Sequence, residues 1–102
     1  MKLDVLAIAA HPDDIELSCG ATVASLVAQN YRVGIVDVTE GELGTRGTRA
    51  IRKAEATAAS KILGISFRHS LKLPDGNIEV NQTNIKKIIQ IIRVAKPEIL
   101  LF

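Results

Sequence analysis

Hydrophobic and polar residues follow one another along the chain in blocks that predict four strands. Leu3 to Ala10 is apolar apart from Asp4, and Arg32 to Val38 is rich in valine and isoleucine. Continuous apolar runs of this length are typical of parallel strands that are covered on both faces. Ile65 to Leu71 and Ile99 to Phe102 predict the third and fourth strands.

Three segments with helical spacing separate these strands. Ile15 to Gln29 predicts the first helix. Thr48 is expected to cap a second helix, which ends at Gly64. Asn81 is expected to cap a third helix, which ends before Pro97. The apolar faces predicted for the helices are Cys19, Val23, Leu26 and Val27 in the first, Ile51, Ala54, Ala58 and Ile62 in the second, and Ile85, Ile88, Ile89 and Ile92 in the third.

The alternation of strands and helices predicts an α/β fold, a Rossmann-like doubly wound parallel sheet in a three-layer α/β/α arrangement. Ligands of such sheets bind outside the carboxyl ends of the strands. Three polar segments follow strands there: 11–14, 39–47 and 73–77. The last strand has no loop or helix after it, so we expect an incomplete sheet. Residues 1–102 are therefore expected to be the amino-terminal portion of a single domain that lacks its carboxy-terminal part.

Composition excludes several classes of partner. The chain has 102 residues, 47% of them hydrophobic, and a net charge of +2, which is too small a basic excess to predict nucleic-acid binding. No apolar run is long enough to span a bilayer, and no signal-peptide pattern is present. A single cysteine, Cys19, excludes an internal disulfide and favours a reducing compartment. We expect a cytoplasmic protein without membrane or nucleic-acid partners.

The tetrapeptide His11-Pro12-Asp13-Asp14 directly follows the first strand. Imidazole and carboxylate are ordinary ligands of a divalent metal, and a spare carboxylate beside the metal can act as a general base. Zinc lowers the pKa of a bound water to about 7, so a hydroxide nucleophile would be available at neutral pH. The alternative is that Asp13 and Asp14 only cap the first helix and interact with its positive end. On spacing alone both interpretations stay open.

Several elements together resemble the PIG-L/LmbE-like zinc-dependent N-deacetylases of N-acetylglucosaminyl conjugates. The resemblance runs along the whole chain, and the combination of the His-Pro-Asp-Asp element with Arg-Lys-x-Glu-Ala at this distance is highly specific. The loop 44–48 most resembles the bacillithiol-biosynthesis branch, which deacetylates N-acetylglucosaminyl-malate. The matching segments are 10–16, 19–22, 37–42, 44–48, 52–56 and 73–76.

The resemblance implies a role for each matching residue. It implies that His11 and Asp14 bind Zn²⁺ or another divalent metal, that Asp13 is the general base, and that Arg52 and Asp75 contact an acetylated amino-sugar substrate. The alternatives are a solvated helix residue for Arg52 and a turn-forming residue for Asp75. Three further residues are candidates for supporting roles. Arg46 could bind a malate-like carboxylate, and the alternative is a free exposed arginine. Glu16 and Thr39 could orient the metal ligands.

One departure from the family pattern affects the metal site. The family's third zinc ligand is a histidine in a His-Pro-Asp-His element after the fourth strand, and this sequence ends at Phe102 without it. His69 is the only other histidine, and it does not match a ligand position.

The motifs and the resemblance together predict a hydrolase that acts on the amide of an N-acetylglucosaminyl conjugate through a metal-bound hydroxide. It should form a homo-oligomer at full length, and residues 1–102 alone should be inactive.

Two alternatives belong to other classes. Paired aspartates after a first strand also occur in receiver domains, which bind magnesium and accept a phosphoryl group on an aspartate at the end of the third strand. Ser70 and Leu71 occupy that region here, and His11 has no role in that interpretation. The chain could also be a non-catalytic α/β fragment that serves only in assembly.

Overall fold

The computed structural model describes residues 1–102 and contains the four strands and three helices that the sequence predicts. In chain order they are β1 Val5–Ala9, α1 Asp14–Ala28, β2 Val33–Asp37, α2 Arg49–Leu63, β3 Phe67–Ser70, α3 Gln82–Ala95 and β4 Ile99–Leu101. All four strands lie in one sheet in the order β3-β2-β1-β4, and every pair is parallel. The predicted α/β fold is confirmed.

The sheet has apolar residues on both faces and separates two hydrophobic clusters, which gives the three-layer arrangement. On one face α1 packs its Ile15 and Val23 against the sheet, and on the other α3 packs Ala95 and, less deeply, Ile91 and Ile92. Both clusters are aliphatic at their centres, as expected for a chain with 3% aromatic residues. The buried strand residues are Val5, Ala7, Val33 and Ile35 in the first cluster and Leu6 and Val36 in the second.

Helix α2 does not bury the apolar stripe that the spacing predicts. Its Ile51 and Ile62 are exposed, and the side chains that are partly buried include Arg52 and Ser60. The inward face of α2 instead carries Arg52 and Ser60 together with the partly buried Ala56, Ala59 and Leu63. Arg52 reaches the Pro12 carbonyl, and the Ser60 hydroxyl lies 3.4 Å from Nη1 of Arg68. The prediction is wrong because this helix faces polar groups as well as the edge of the apolar core.

The ends of the helices follow local side-chain chemistry. The Thr48 and Asn81 side chains accept hydrogen bonds from the N–H groups of Ile51 and Asn84, which confirms both predicted caps. Gly64 ends α2 in the left-handed conformation at φ 75°. None of the three helices combines the length and apolar character needed to cross a bilayer.

The last strand and part of α3 expose apolar side chains. In β4, Ile99 and Leu100 are exposed, and Phe102 beyond it is almost fully exposed. On α3, Ile88 and Ile92 are partly buried as predicted, but Ile85 and Ile89 are exposed and Ile91 packs on the sheet instead.

Candidate functional site

The His-Pro-Asp-Asp segment lies at the carboxyl edge of the sheet, between the end of β1 and the start of α1. Asp13 has φ 98°, a left-handed conformation that is uncommon for a residue other than glycine. Its side chain makes no capping hydrogen bond, although it stands at the cap position of α1. The carboxylate is 57% exposed. The capping interpretation therefore does not describe what the Asp13 side chain does.

His11 and Asp14 face each other across a short gap. Nδ1 of His11 lies 3.4 Å from Oδ2 of Asp14, and the same carboxylate oxygen accepts the His11 backbone N–H at 3.0 Å. Zinc bonds of about 2.0–2.2 Å in a tetrahedral site place two ligand atoms roughly 3.3–3.6 Å apart. The pair thus fits two positions of such a site. The structure contains no cluster of three or more His, Cys, Asp or Glu side chains suited to a metal ion.

The other ring nitrogen of His11 is bonded to Asp75, which the Pro74-Asp75-Gly76 turn brings to the same edge. Nε2 of His11 and Oδ1 of Asp75 are 2.7 Å apart, and the Asp75 side chain is only 7% exposed. Its second oxygen accepts the backbone N–H of Leu43 at 2.9 Å. The sequence predicts Asp75 at this edge, but no pattern in it indicates the pairing with His11.

The His11–Asp75 pair shifts the ionisation of both partners. The hydrogen bond to Asp75 raises the pKa of His11 above its ordinary 6.5, and the Leu43 N–H lowers the pKa of Asp75 below 3.8. A raised histidine pKa contributes stability that is present below pH about 6.5 and is lost as the pH rises through the folded-state value. A lowered carboxyl pKa contributes stability that is present above about 3.9 and is lost as the pH falls.

We expect the metal-free chain to lose stability as the pH rises above about 6.5, and a His11→Gln variant to lose less. Urea unfolding at a series of pH values measures the free energy of unfolding of both chains. The difference between them isolates His11 from the other groups that titrate in this range. Parallel curves for the two chains would contradict the raised pKa.

Arg52 extends from α2 toward the same edge and lies against two glycines. Its Nη2 is 3.4 Å from the Pro12 carbonyl oxygen and 3.9 Å from Oδ2 of Asp13. A Cβ added at Gly44 would lie 2.9 Å from Nη1, and one at Gly41 would lie 2.7 Å from Nε. Nε is buried without a hydrogen-bond partner. Because Gly41 and Gly44 have no Cβ, this loop leaves room for the Arg52 guanidinium beside Asp13.

The remaining predicted residues do not join this cluster. Arg46 is exposed and makes no hydrogen bond or ion pair, and His69 stacks on Phe67 in β3. Thr39 bonds the Ala10 carbonyl and the Gly41 N–H rather than a candidate ligand. Cys19 is half-buried against the α1 side of the core, and Ser70 ends β3, where a receiver domain needs an aspartate.

A buried charge network beside the site was not predicted. Arg68 of β3 is 11% exposed and donates to both carboxylate oxygens of Asp37, at 2.9 and 3.0 Å, and to Glu16 at 2.8 Å. Glu16 was expected to orient a ligand, and it binds Arg68 instead. Burial raises the pKa of Asp37 even though Arg68 opposes the shift. The available signal is a charged residue in each of two adjacent strands: Asp37 lies between two valines, and Arg68 follows Phe67.

Two cavities flank Pro12. One of about 210 Å³ is lined by Asp13, Arg52 and Glu55 among others and borders the candidate base. The other, of about 480 Å³, contains none of the candidate ligands. Its lining is cationic: Arg49, Lys53, Arg68 and Lys72 contribute, with only two carboxylates, Asp37 and Glu40.

Sequence comparison finds deacetylases. The chain is 48% identical over 60 residues to the uncharacterized deacetylase YaiS of Escherichia coli (strain K12), covering 59% of this chain and 32% of that protein. It is 31% identical over 104 aligned positions to the diacetylchitobiose deacetylase of Thermococcus kodakarensis, covering 95% of this chain and 39% of the relative. The chain thus spans less than half the length of either relative.

Structural comparison agrees with the sequence. The conserved protein TT1542 of Thermus thermophilus superposes with a TM-score of 0.91 at 42% identity, covering 96% of this chain and 44% of that one. The family model for PIG-L, described as GlcNAc-PI de-N-acetylase, matches residues 6–102. These residues include every candidate ligand and nearly the whole sheet. The chain therefore belongs to the PIG-L family.

Proposed function

We propose that this chain carries part of the active site of a metal-dependent N-deacetylase that acts on N-acetylglucosaminyl conjugates. One observation carries the proposal: His11 and Asp14 face each other at ligand spacing, with the Asp13 carboxylate between them in sequence and Arg52 beside it. An imidazole, two carboxylates and a guanidinium at the carboxyl edge of a parallel sheet suit hydrolysis of an amide. Membership of the PIG-L family supports the same reaction.

Each of these residues has a distinct chemical task. His11 and Asp14 would hold Zn²⁺, which supplies a Lewis acid for the acetyl carbonyl and a water of lowered pKa. Asp13 is exposed and makes no capping bond, so it is free to take a proton from the attacking water and return it to the leaving amine. Arg52 lies 3.9 Å from Asp13 and would bind the substrate on that side.

We further propose that a segment beyond Phe102 supplies the third protein ligand, so that residues 1–102 form the amino-terminal part of one deacetylase domain. Catalytic zinc sites use three protein ligands and one open position. The chain offers a pair rather than a triad, and it spans 39% of the chitobiose deacetylase relative. The exposed apolar residues of β4 are a surface that such a segment would cover.

The substrate we propose is an N-acetylglucosaminyl conjugate with a carboxylate-bearing partner, of the malate type used in bacillithiol biosynthesis. The cationic lining of the 480 Å³ cavity supports a negatively charged substituent. Lys53 and Lys72 make no ion pair there, and Arg46 is an exposed arginine on the neighbouring loop. Guanidinium and ammonium groups both bind carboxylate.

Acetate release by the protein that includes the residues after Phe102 tests this proposal. We expect faster hydrolysis, measured as kcat/KM, with N-acetylglucosaminyl-malate than with neutral N,N'-diacetylchitobiose. A Lys53→Met variant should narrow that preference, whereas Lys61→Met, which changes an exposed lysine at the far end of α2, should not. Equal rates with both substrates would contradict the charged-substrate proposal, and no acetate from either would contradict the deacetylase.

A further inference from the structure

Asp75 differs from the other carboxylates of the site in being enclosed. Its side chain is 7% exposed, whereas those of Asp13 and Asp14 are 57% and 41% exposed. Each of its oxygens already has a partner, the His11 ring for Oδ1 and the Leu43 N–H for Oδ2. Both oxygens of Asp75 are thus held by groups of this chain.

The pairing with Asp75 determines which nitrogen of His11 carries hydrogen. An ionised carboxylate only accepts hydrogen bonds, so Nε2 must donate across the 2.7 Å contact. In the neutral ring, Nδ1 is then unprotonated and has a lone pair. Nδ1 is the nitrogen that faces Oδ2 of Asp14 at 3.4 Å. Two acceptor atoms therefore point at one gap, an arrangement that a shared cation stabilises.

Two loops hold the Asp75 carboxylate in place. The Asp75 backbone N–H donates to Oε2 of Glu42 at 3.0 Å, and Leu43 from the same loop donates to the side chain. Gly76 has φ 75°, and a Cβ there would lie 2.9 Å from Cδ1 of Leu43. These contacts join the turn after β3 to the loop after β2, and Asp75 of the turn bonds the ring of His11 after β1.

We propose that Asp75 is a positioning residue, whose carboxylate fixes the ring of His11 with Nε2 protonated and Nδ1 free to bind a divalent cation. The part of this proposal that concerns the cation rests on the proposed function, whereas the part that concerns the ring stands on the metal-free geometry. Carboxylates that accept from a metal-binding histidine fix its tautomer and strengthen it as a ligand, and their loss lowers metal affinity by about 10- to 100-fold.

Histidine ¹⁵N NMR of the metal-free chain tests the effect on the ring, and His69 serves as the internal reference. At a pH where both rings are neutral, we expect wild-type His11 to show a single Nε2–H form with a slowly exchanging proton. In Asp75→Ala the slow exchange should be lost and the two forms should mix, while Asp75→Asn should give an intermediate result. The His69 signals should not change. Glu98→Gln, at an exposed and distant carboxylate, is the matched control.

Zn²⁺ competition with a chromophoric chelator, measured on the chain together with the segment proposed beyond Phe102, tests the effect of Asp75 on cation binding. Affinity should fall about 10- to 100-fold in Asp75→Ala and should be unchanged in Glu98→Gln. His11 spectra that stay the same in both Asp75 variants would overturn the proposal, and so would an affinity within twofold of wild type. If wild type binds no divalent cation, the proposed function fails, and the NMR result still decides the role of Asp75 toward the ring.

Discussion

Asp13→Asn is expected to lower kcat for acetate release by about 10²- to 10⁴-fold, the usual contribution of a general acid–base group. An asparagine keeps the size of the side chain but cannot take a proton from the attacking water. The Asp13 carboxylate makes no capping hydrogen bond and is more than half exposed, so the fold should be unaffected. Steady-state kinetics of the chain together with the segment proposed beyond Phe102 measures the loss.

Two controls separate catalysis from metal binding and from folding. The bound zinc of Asp13→Asn should match that of wild type, because Asp13 is not proposed as a ligand. Asp4→Asn changes a carboxylate at the opposite edge of the sheet, where it pairs with Arg32, and should leave kcat unchanged. A kcat within tenfold of wild type in Asp13→Asn would mean that another group moves the proton.

Arg68→Met is expected to destabilise the chain by about 3–5 kcal/mol, the usual cost of removing one partner of a buried ion pair. The variant leaves Asp37, which is only 4% exposed, without its cation. Because burial already raises the pKa of Asp37, the loss should be smaller at low pH, where the carboxyl of the variant is protonated. Urea unfolding at two pH values measures both effects.

The matched control is Arg93→Met, because Arg93 is exposed on α3 and makes no ion pair. It should change the free energy of unfolding by no more than about 0.5 kcal/mol. Adding Asp37→Asn to Arg68→Met removes the orphaned charge and should restore part of the lost stability. If Arg68→Met costs less than about 1 kcal/mol, the network is not a major contributor to the fold.

Element order and topology could be predicted from the sequence because they depend on the spacing of apolar residues. Val33, Ile35 and Val36 sit in a short run of β-branched residues that favours a covered strand, and the alternation of strands with helices leaves few topologies. The rotation of α2 could not be predicted. Its periodicity favours the face of Ile51, but the face that turns inward carries Arg52 and Ser60, which contact the Pro12 carbonyl and Arg68, beside small and apolar residues.

The site could be predicted in part for a similar reason. His11 and Asp75 are 64 positions apart in the sequence, but both follow strands at the carboxyl edge of the parallel sheet. The predicted topology is therefore enough to place them near each other. Which atoms meet depends on the left-handed backbone at Asp13 and Gly76 and on the Glu42 and Leu43 contacts to Asp75. The spacing of residues along the sequence does not determine those backbone torsions. The hydrogen-bond partners of His11 could therefore be identified only from the structure.

Bound zinc and acetate release, measured on the chain together with the segment proposed beyond Phe102, test whether His11 and Asp14 hold the metal while Asp13 moves the proton. Wild type is compared with Asp13→Asn and His11→Ala. Wild type should bind zinc and release acetate, Asp13→Asn should keep the zinc but lose most of the acetate release, and His11→Ala should lose both. Full zinc binding and undiminished acetate release in His11→Ala would contradict the account.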